Sequence, residues 1–214
     1  MFNLSVLSKT IALPMAIFLA PFANAATFLG TTFDDNAFAD VLLSDASGHT
    51  VWNAPSAEAA LTGADANTTA FNTTIGSFVT LGFTDNKIIN GTGADLAIFE
   101  LFVEAAEDIY VTIGGVQVVE SQTFTGFTNA SGFDVYVSLF DLSDFGVAAG
   151  GTITSVTLQG DCTTAACAGP GLASSPFVAV GAINSLPVAP VPLPTSLPFL
   201  FFGVAAFGYL RRRG

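Results

Sequence analysis

The amino-acid sequence predicts an all-β ectodomain, an antiparallel β-sandwich or jelly roll, preceded by an N-terminal signal helix and followed by a C-terminal transmembrane helix. Three observations predict it. Short β-branched and aromatic runs recur through residues 26–186 with Gly and Asn between them. Apolar stretches with few charges lie at both ends, and only 10% of all residues are charged. Solubility of the middle therefore rests on Asp, Asn, Ser and Thr, as in many exported β-proteins.

Residues 1–25 read as a secretory signal peptide. Lys9 and the α-amine supply a positive start, Ile11 to Phe22 an apolar stretch, and Ala23 and Ala25 an A-x-A cleavage site. Ala26 is the expected mature start. A permanent N-terminal anchor is disfavoured, because the run is short and holds Pro14 and Pro21.

From 26 to 186 the strand-like windows are 26–33, 38–44, 77–83, 94–102, 108–114, 116–122, 133–142, 152–160 and 177–186. In "FDVYVSLFDL" period-two alternation puts Phe133, Val135, Val137 and Leu139 on one face and Asp134, Tyr136 and Ser138 on the other. Nine such windows with turn residues between them suit a sandwich or jelly roll. "PSAEAALTG", Pro55 to Gly63, is the one helical stretch, with Gly63 as its stop.

Residues 187–196 form a proline-rich spacer, and 197–214 a membrane helix with an arginine tail. Leu197 to Leu210 is fourteen residues without a charge. It spans roughly 21 Å at 1.5 Å per residue, and snorkelling arginines extend its reach towards the ~30 Å hydrocarbon core. Arg211, Arg212 and Arg213 act as a membrane stop that favours a cytoplasmic terminus, which leaves the ectodomain on the other side.

Val191, Pro192, Leu193 and Pro194, followed by the apolar helix and the terminal arginines, resemble the PEP-CTERM sorting signal in its VPLPA variant. Thr195 stands where that variant usually has alanine. The resemblance implies export by the secretion machinery, recognition by an exosortase, and delivery to the outer surface or exopolysaccharide matrix of a bacterium. The alternative for the same topology is a C-terminal anchor that is never removed. Residues 33–40, 78–100, 141–146 and 180–185 also resemble a domain that recurs in such surface proteins, which implies a β-sandwich and no agreed activity. That domain carries acids before its "VGAI"; here the positions are Ser175, Pro176, Phe177 and Val178.

Between Ala26 and Pro190 lie 17 acids and one base, Lys87, a formal charge of −16. Such a surface repels phosphate backbones and excludes nucleic acid as a partner. It attracts cations, so a structural calcium is a candidate: Asp34, Asp35, Asn36 and Asp40 form one cluster, and Asp85, Asn86, Asn90 and Asp95 another. Neither has EF-hand spacing, and turn chemistry accounts for Asp and Asn in loops as well.

Cys162 and Cys167 are the only cysteines, and an oxidising compartment makes a disulfide their expected state, worth about 2 kcal/mol for so short a loop. His49 is the only histidine and no G-x-S-x-G elbow is present, which argues against a serine hydrolase. Glu100 with Glu104, or Glu107 with Asp108, would supply paired carboxylates for glycoside hydrolysis, although surface acids are the simpler reading. Trp52 and Tyr110 are the aromatic candidates for stacking on a polysaccharide, with core packing as the alternative. The expected function is thus a non-enzymatic surface or matrix protein, with polysaccharide binding and then glycoside hydrolysis as alternatives.

Overall fold

The computed structural model describes residues 25–33, 37–46, 49–72, 76–102, 108–160 and 174–188. Its strands are β1 (Ala26–Phe28), β2 (Thr31–Phe33), β3 (Val41–Asp45), β4 (His49–Trp52), β5 (Thr69–Asn72), β6 (Val79–Gly82), β7 (Asn86–Ile89) and β8 (Leu96–Leu101). There follow β9 (Asp108–Ile113), β10 (Val116–Ser121), β11 (Thr123–Thr128), β12 (Asp134–Phe140), β13 (Thr152–Ile153), β14 (Ser155–Gly160), β15 (Ser174–Ala182) and β16 (Ser185–Pro187). Helix α1 (Ala57–Leu61) lies between β4 and β5, and a 3-10 turn (Leu142–Phe145) follows β12. The signal segment, the spacer, the sorting motif, the terminal helix and both cysteines lie outside the described residues. Among the described residues no helix is long and apolar enough to cross a membrane.

A five-stranded sheet ordered β10-β9-β14-β6-β3 and a six-stranded sheet ordered β11-β12-β8-β15-β5-β4 share one apolar core, a β-sandwich-like fold. All described pairings between strands are antiparallel. The smaller sheets are the hairpin β1-β2 and β13-β7-β16. The window 26–33 is thus two strands, because Leu29 and Gly30 turn with φ of 47° and 83°.

Period-two reading needs correction on β12. Val135 and Val137 are buried as expected, yet Leu139 on their face is exposed while Ser138 and Phe140 on the other face are buried. The strand is covered on both faces, so alternation does not assign one face to water. Helix α1 forms where its alanines predict. Ser56 Oγ accepts from Ala59 N–H at 3.1 Å as N-cap, and Gly63 follows with φ of 100°.

The six-stranded sheet is fixed at one end by Asp95, which is fully buried. Its Oδ1 accepts from Gly91 N–H at 2.8 Å and Asn184 Nδ2 at 2.7 Å, and its Oδ2 from Leu142 N–H at 2.9 Å. Its backbone N–H donates to Phe140 O and its carbonyl accepts from Ile183 N–H. One side chain therefore joins the segments before β8, after β12 and after β15.

On the outer face of β8, Phe99 meets the rings of Phe28 at 5.0 Å and Phe33 at 6.0 Å. Gly181 makes this approach possible, since a Cβ there would stand 2.5 Å from the Phe33 ring. The N-terminal hairpin is thereby packed onto the sheet rather than left as a free arm.

Replacing Asp95 by alanine leaves three donors unmet in a buried site, which is expected to cost about 3–5 kcal/mol. Thermal unfolding followed by circular dichroism should show a fall in Tm of roughly 6–15 °C. A change under 2 °C would remove Asp95 from this role.

Candidate functional site

Beyond the hairpin, the same outer face of the six-stranded sheet is open. A groove of about 390 Å³ runs across it, lined by Trp52, Phe71, Leu101, Phe133 and Pro176 with Thr50 at its edge. Trp52 and Phe133 stand at 86° with centroids 5.4 Å apart, forming a corner of two aromatic rings. Trp52 is 36% exposed, and Phe133 is half-buried.

Asparagines hold this corner in place. Asn53, in left-handed conformation with φ of 58°, donates from Nδ2 to Asn67 O at 3.0 Å and so fixes the turn that follows Trp52. Asn67 Oδ1 accepts from Ala130 N–H at 3.0 Å, which joins that loop to the one leading into β12. Asn129 Oδ1 accepts from Phe133 N–H at 3.0 Å. Beneath the groove, Thr69 Oγ1 donates to Phe177 O at 2.7 Å, and a register shift between Phe177 and Ala179 marks a bulge in β15 beside Pro176. The rings are thus set in position without a ligand.

Of the two aromatic candidates, Trp52 lines this groove and Tyr110 does not. Tyr110 is half-buried on β9 of the other sheet, opposite Val119 and Gln159. Phe71, Leu101, Phe133 and Pro176 carried no sequence signal, because they meet Trp52 only through pairing of distant strands.

The acidic clusters regroup. Asp34, Asp35 and Asn36 lie outside the described residues. Asp40 and Asp85, assigned to separate clusters by sequence, share a pocket of about 470 Å³ with Ala26, Phe38, Thr62 and Gly63. Asp95 is not with Asp85: its oxygens are occupied by the three donors described above. Asn90 Nδ2 is directed to Val147 O at 2.6 Å and Asn86 Nδ2 to Asp85 Oδ1 at 3.0 Å. Among the described residues no three acids, cysteines or histidines converge on one point.

Asp40 accepts from Thr84 N–H at 2.9 Å, Thr84 Oγ1 at 2.8 Å and Asp85 N–H at 3.1 Å. Burial pushes its pKa up, but these hydrogen bonds outweigh it and hold the carboxyl below the usual range. Asp85 is pushed above that range by burial, by its hydrogen bond to Asp40 and by the Asp40 charge.

Each pair of hydrolytic candidates has one member outside the described residues. Glu100 is fully buried in β8, where Gln122 Nε2 donates to its Oε2, and Asp108 is exposed at the start of β9. Glu104 and Glu107 lie outside the described residues. His49 opens β4, with Nδ1 2.7 Å from Asp45 Oδ1.

No family model matches the chain, and no curated protein matches it. Among solved structures it is similar to the catalytic domain of a GH87 alpha-1,3-glucanase in complex with tetrasaccharides, at 12% identity and a TM-score of 0.40. The match covers 74% of this chain and 29% of that one. A likeness of that size carries no argument about the groove.

Because Asp40 is held as the anion, its hydrogen bonds stabilise the fold above the ordinary carboxylate range and are lost as pH falls through its lowered value. Asp40→Ala is expected to cost about 1–2 kcal/mol at pH 7, with the deficit shrinking below about pH 4. Urea unfolding at pH 7 and pH 3 checks this. A deficit that is equal at both would show that the carboxylate is not the stabilising form.

Proposed function

We propose that the chain is an exported, non-enzymatic β-sandwich module of the bacterial surface or extracellular matrix, and that its Trp52 groove binds neutral polysaccharide. The observation that carries the binding reading is the fixed Trp52–Phe133 corner, open on a sheet face whose other part is covered. Sugar rings present C–H faces that pack on aromatic rings, while their hydroxyls turn to the polar rim. The polar side chains of the lining here are Thr50 and Thr69, with no charged group among them. The charge of −16 between Ala26 and Pro190 disfavours a polyanion, so the ligand class is a neutral glycan.

The export reading is supported by the order signal segment, ectodomain, "VPLP" motif, apolar helix and arginines. In it, prolines keep Val191 to Pro194 extended as a substrate for an exosortase, and the apolar helix holds them at the membrane until cleavage.

Two experiments test these proposals. In native affinity electrophoresis through soluble neutral polysaccharides, the protein should be retarded, Trp52→Ala should weaken retardation at least about tenfold, and Tyr110→Ala should leave it unchanged. Retardation that survives Trp52→Ala would sink the groove reading. Mass spectrometry of the exported protein should find a start at Ala26 and an end upstream of Leu197. Intact Arg211–Arg213 on all surface material would instead establish the permanent anchor.

A further inference from the structure

The Trp52 groove is poor in hydrogen-bonding groups for a site that takes a sugar. Among the described residues around it, side-chain polarity is limited to the hydroxyls of Thr50 and Thr69 and the indole N–H of Trp52. Thr69 is 1% exposed, and its hydroxyl donates to Phe177 O at 2.7 Å. Thr50 is exposed at the edge. The floor is carbon, since Leu101 is 3% exposed and Pro176 is buried beside it. We propose that the groove selects neutral glycans whose hydroxyls are partly capped by methyl-bearing groups, O-acetyl or O-methyl. The proposal rests on the glycan reading above and names the class of glycan.

Two observations carry it. The first is an imbalance of donors and acceptors. Each free sugar hydroxyl brings a donor, which needs an acceptor once water is displaced. The sheet face presents side chains, because its backbone groups lie in the plane of the ladders. The Trp52 indole only donates, which leaves the Thr50 oxygen as the exposed side-chain acceptor among the described residues of the lining. A free hydroxyl over Leu101 and Pro176 therefore gives up its hydrogen bonds to water and gains none in return. A capped hydroxyl has no such donor. Its ester or ether oxygen only accepts, which matches an indole N–H.

The second observation is the shape of the corner. Trp52 and Phe133 stand at 86° with centroids 5.4 Å apart, so the aromatic wall turns through nearly a right angle. A pyranose ring stacks its C–H face on one side of that corner. A substituent standing off the ring then meets the other side and the Leu101–Pro176 floor, where a methyl group leaves water against carbon. The volume of about 390 Å³ lies near the lower end of the roughly 300–1,000 Å³ usual for ligand sites, which suits one substituted unit of a polymer. No charged side chain is among the described lining, so a cap bearing a carboxylate finds no counter-ion there.

Native affinity electrophoresis through two matched pairs of neutral polymers tests the proposal. Glucomannan carrying its O-acetyl groups is compared with the same polymer after mild alkaline deacetylation, and methylcellulose with hydroxyethylcellulose. Deacetylation should weaken retardation about tenfold, the lower end of what one methyl group contributes in an apolar pocket. Preference for the capped polymer in both pairs identifies the methyl group as the feature recognised. Preference for the acetylated polymer alone identifies the ester, and either result supports the proposal. Retardation that depends on Trp52 but is equal for capped and uncapped polymers overturns it and leaves the groove reading standing. Retardation by none of the four overturns both.

Saturation-transfer NMR with acetylated glucomannan oligosaccharides gives a second measurement. The strongest transfer should fall on the acetyl methyl protons and should vanish in Trp52→Ala. Transfer that is stronger on the sugar-ring protons than on the acetyl methyls overturns the proposal.

Discussion

The Asp95 carboxylate is the constraint on which the rest of the structure depends. Three donors from three segments reach it in a fully buried site, and its own backbone pairs with Phe140 and Ile183. Charge-assisted hydrogen bonds are each worth about 1.5–3 kcal/mol, but the larger effect is asymmetric: any slip of β8 would strand a buried charge and its donors together. The register of β8 against β12 and β15 is therefore fixed at its Leu96 end, with Phe140 and Ala182 opposite Leu96. Everything that β8 carries inherits that register.

What β8 carries on its outer face is Phe99 and, two residues later, Leu101. The N-terminal hairpin reaches the first and not the second. Phe28 and Phe33 cover Phe99, and the groove begins where Leu101 lines it. The open site is thus the remainder of a face that a short strap only partly covers. Gly181 sets the depth of that strap, because any side chain there would displace Phe33. Core packing and site geometry are consequences of one alternation along one strand.

Local chemistry made part of this legible. Alternating Val, Ile and Phe marked β8, β9, β12 and β15, and the alanines before Gly63 marked α1, because these signals sit in contiguous residues. The short strands β4, β5, β7 and β11 were not legible: "HTVW", "TAFN" and "NKII" have too few residues to show a period, and "TFTGFT" is interrupted by Gly126. They become strands because neighbours offer them a ladder. Trp52 was identifiable as a candidate since it is the sole tryptophan, but Phe133 lies 81 residues further along and Pro176 further still. Asn53, Asn67 and Asn129 read as generic turn residues, and only the assembled loops show that they hold each other and the two rings.

The regrouping of acids shows why sequence clusters mislead in a chain of this composition. Asp85 and Asp95 are ten positions apart, yet β7 and the glycine loop after it intervene, and the chain directs Asp95 inward as a structural acceptor while Asp85 stays at the surface. Asp40, forty-five positions before Asp85, comes beside it because β3 pairs with β6. Charge then acts locally. At physiological salt the screening length is about 8 Å, so only acids close to the groove act on it. Asp134, next in sequence to Phe133, accepts from Thr128, and Asp65 accepts from Asn67. On the proposed reading, the groove takes its ligand by ring surface, which fits a neutral polymer.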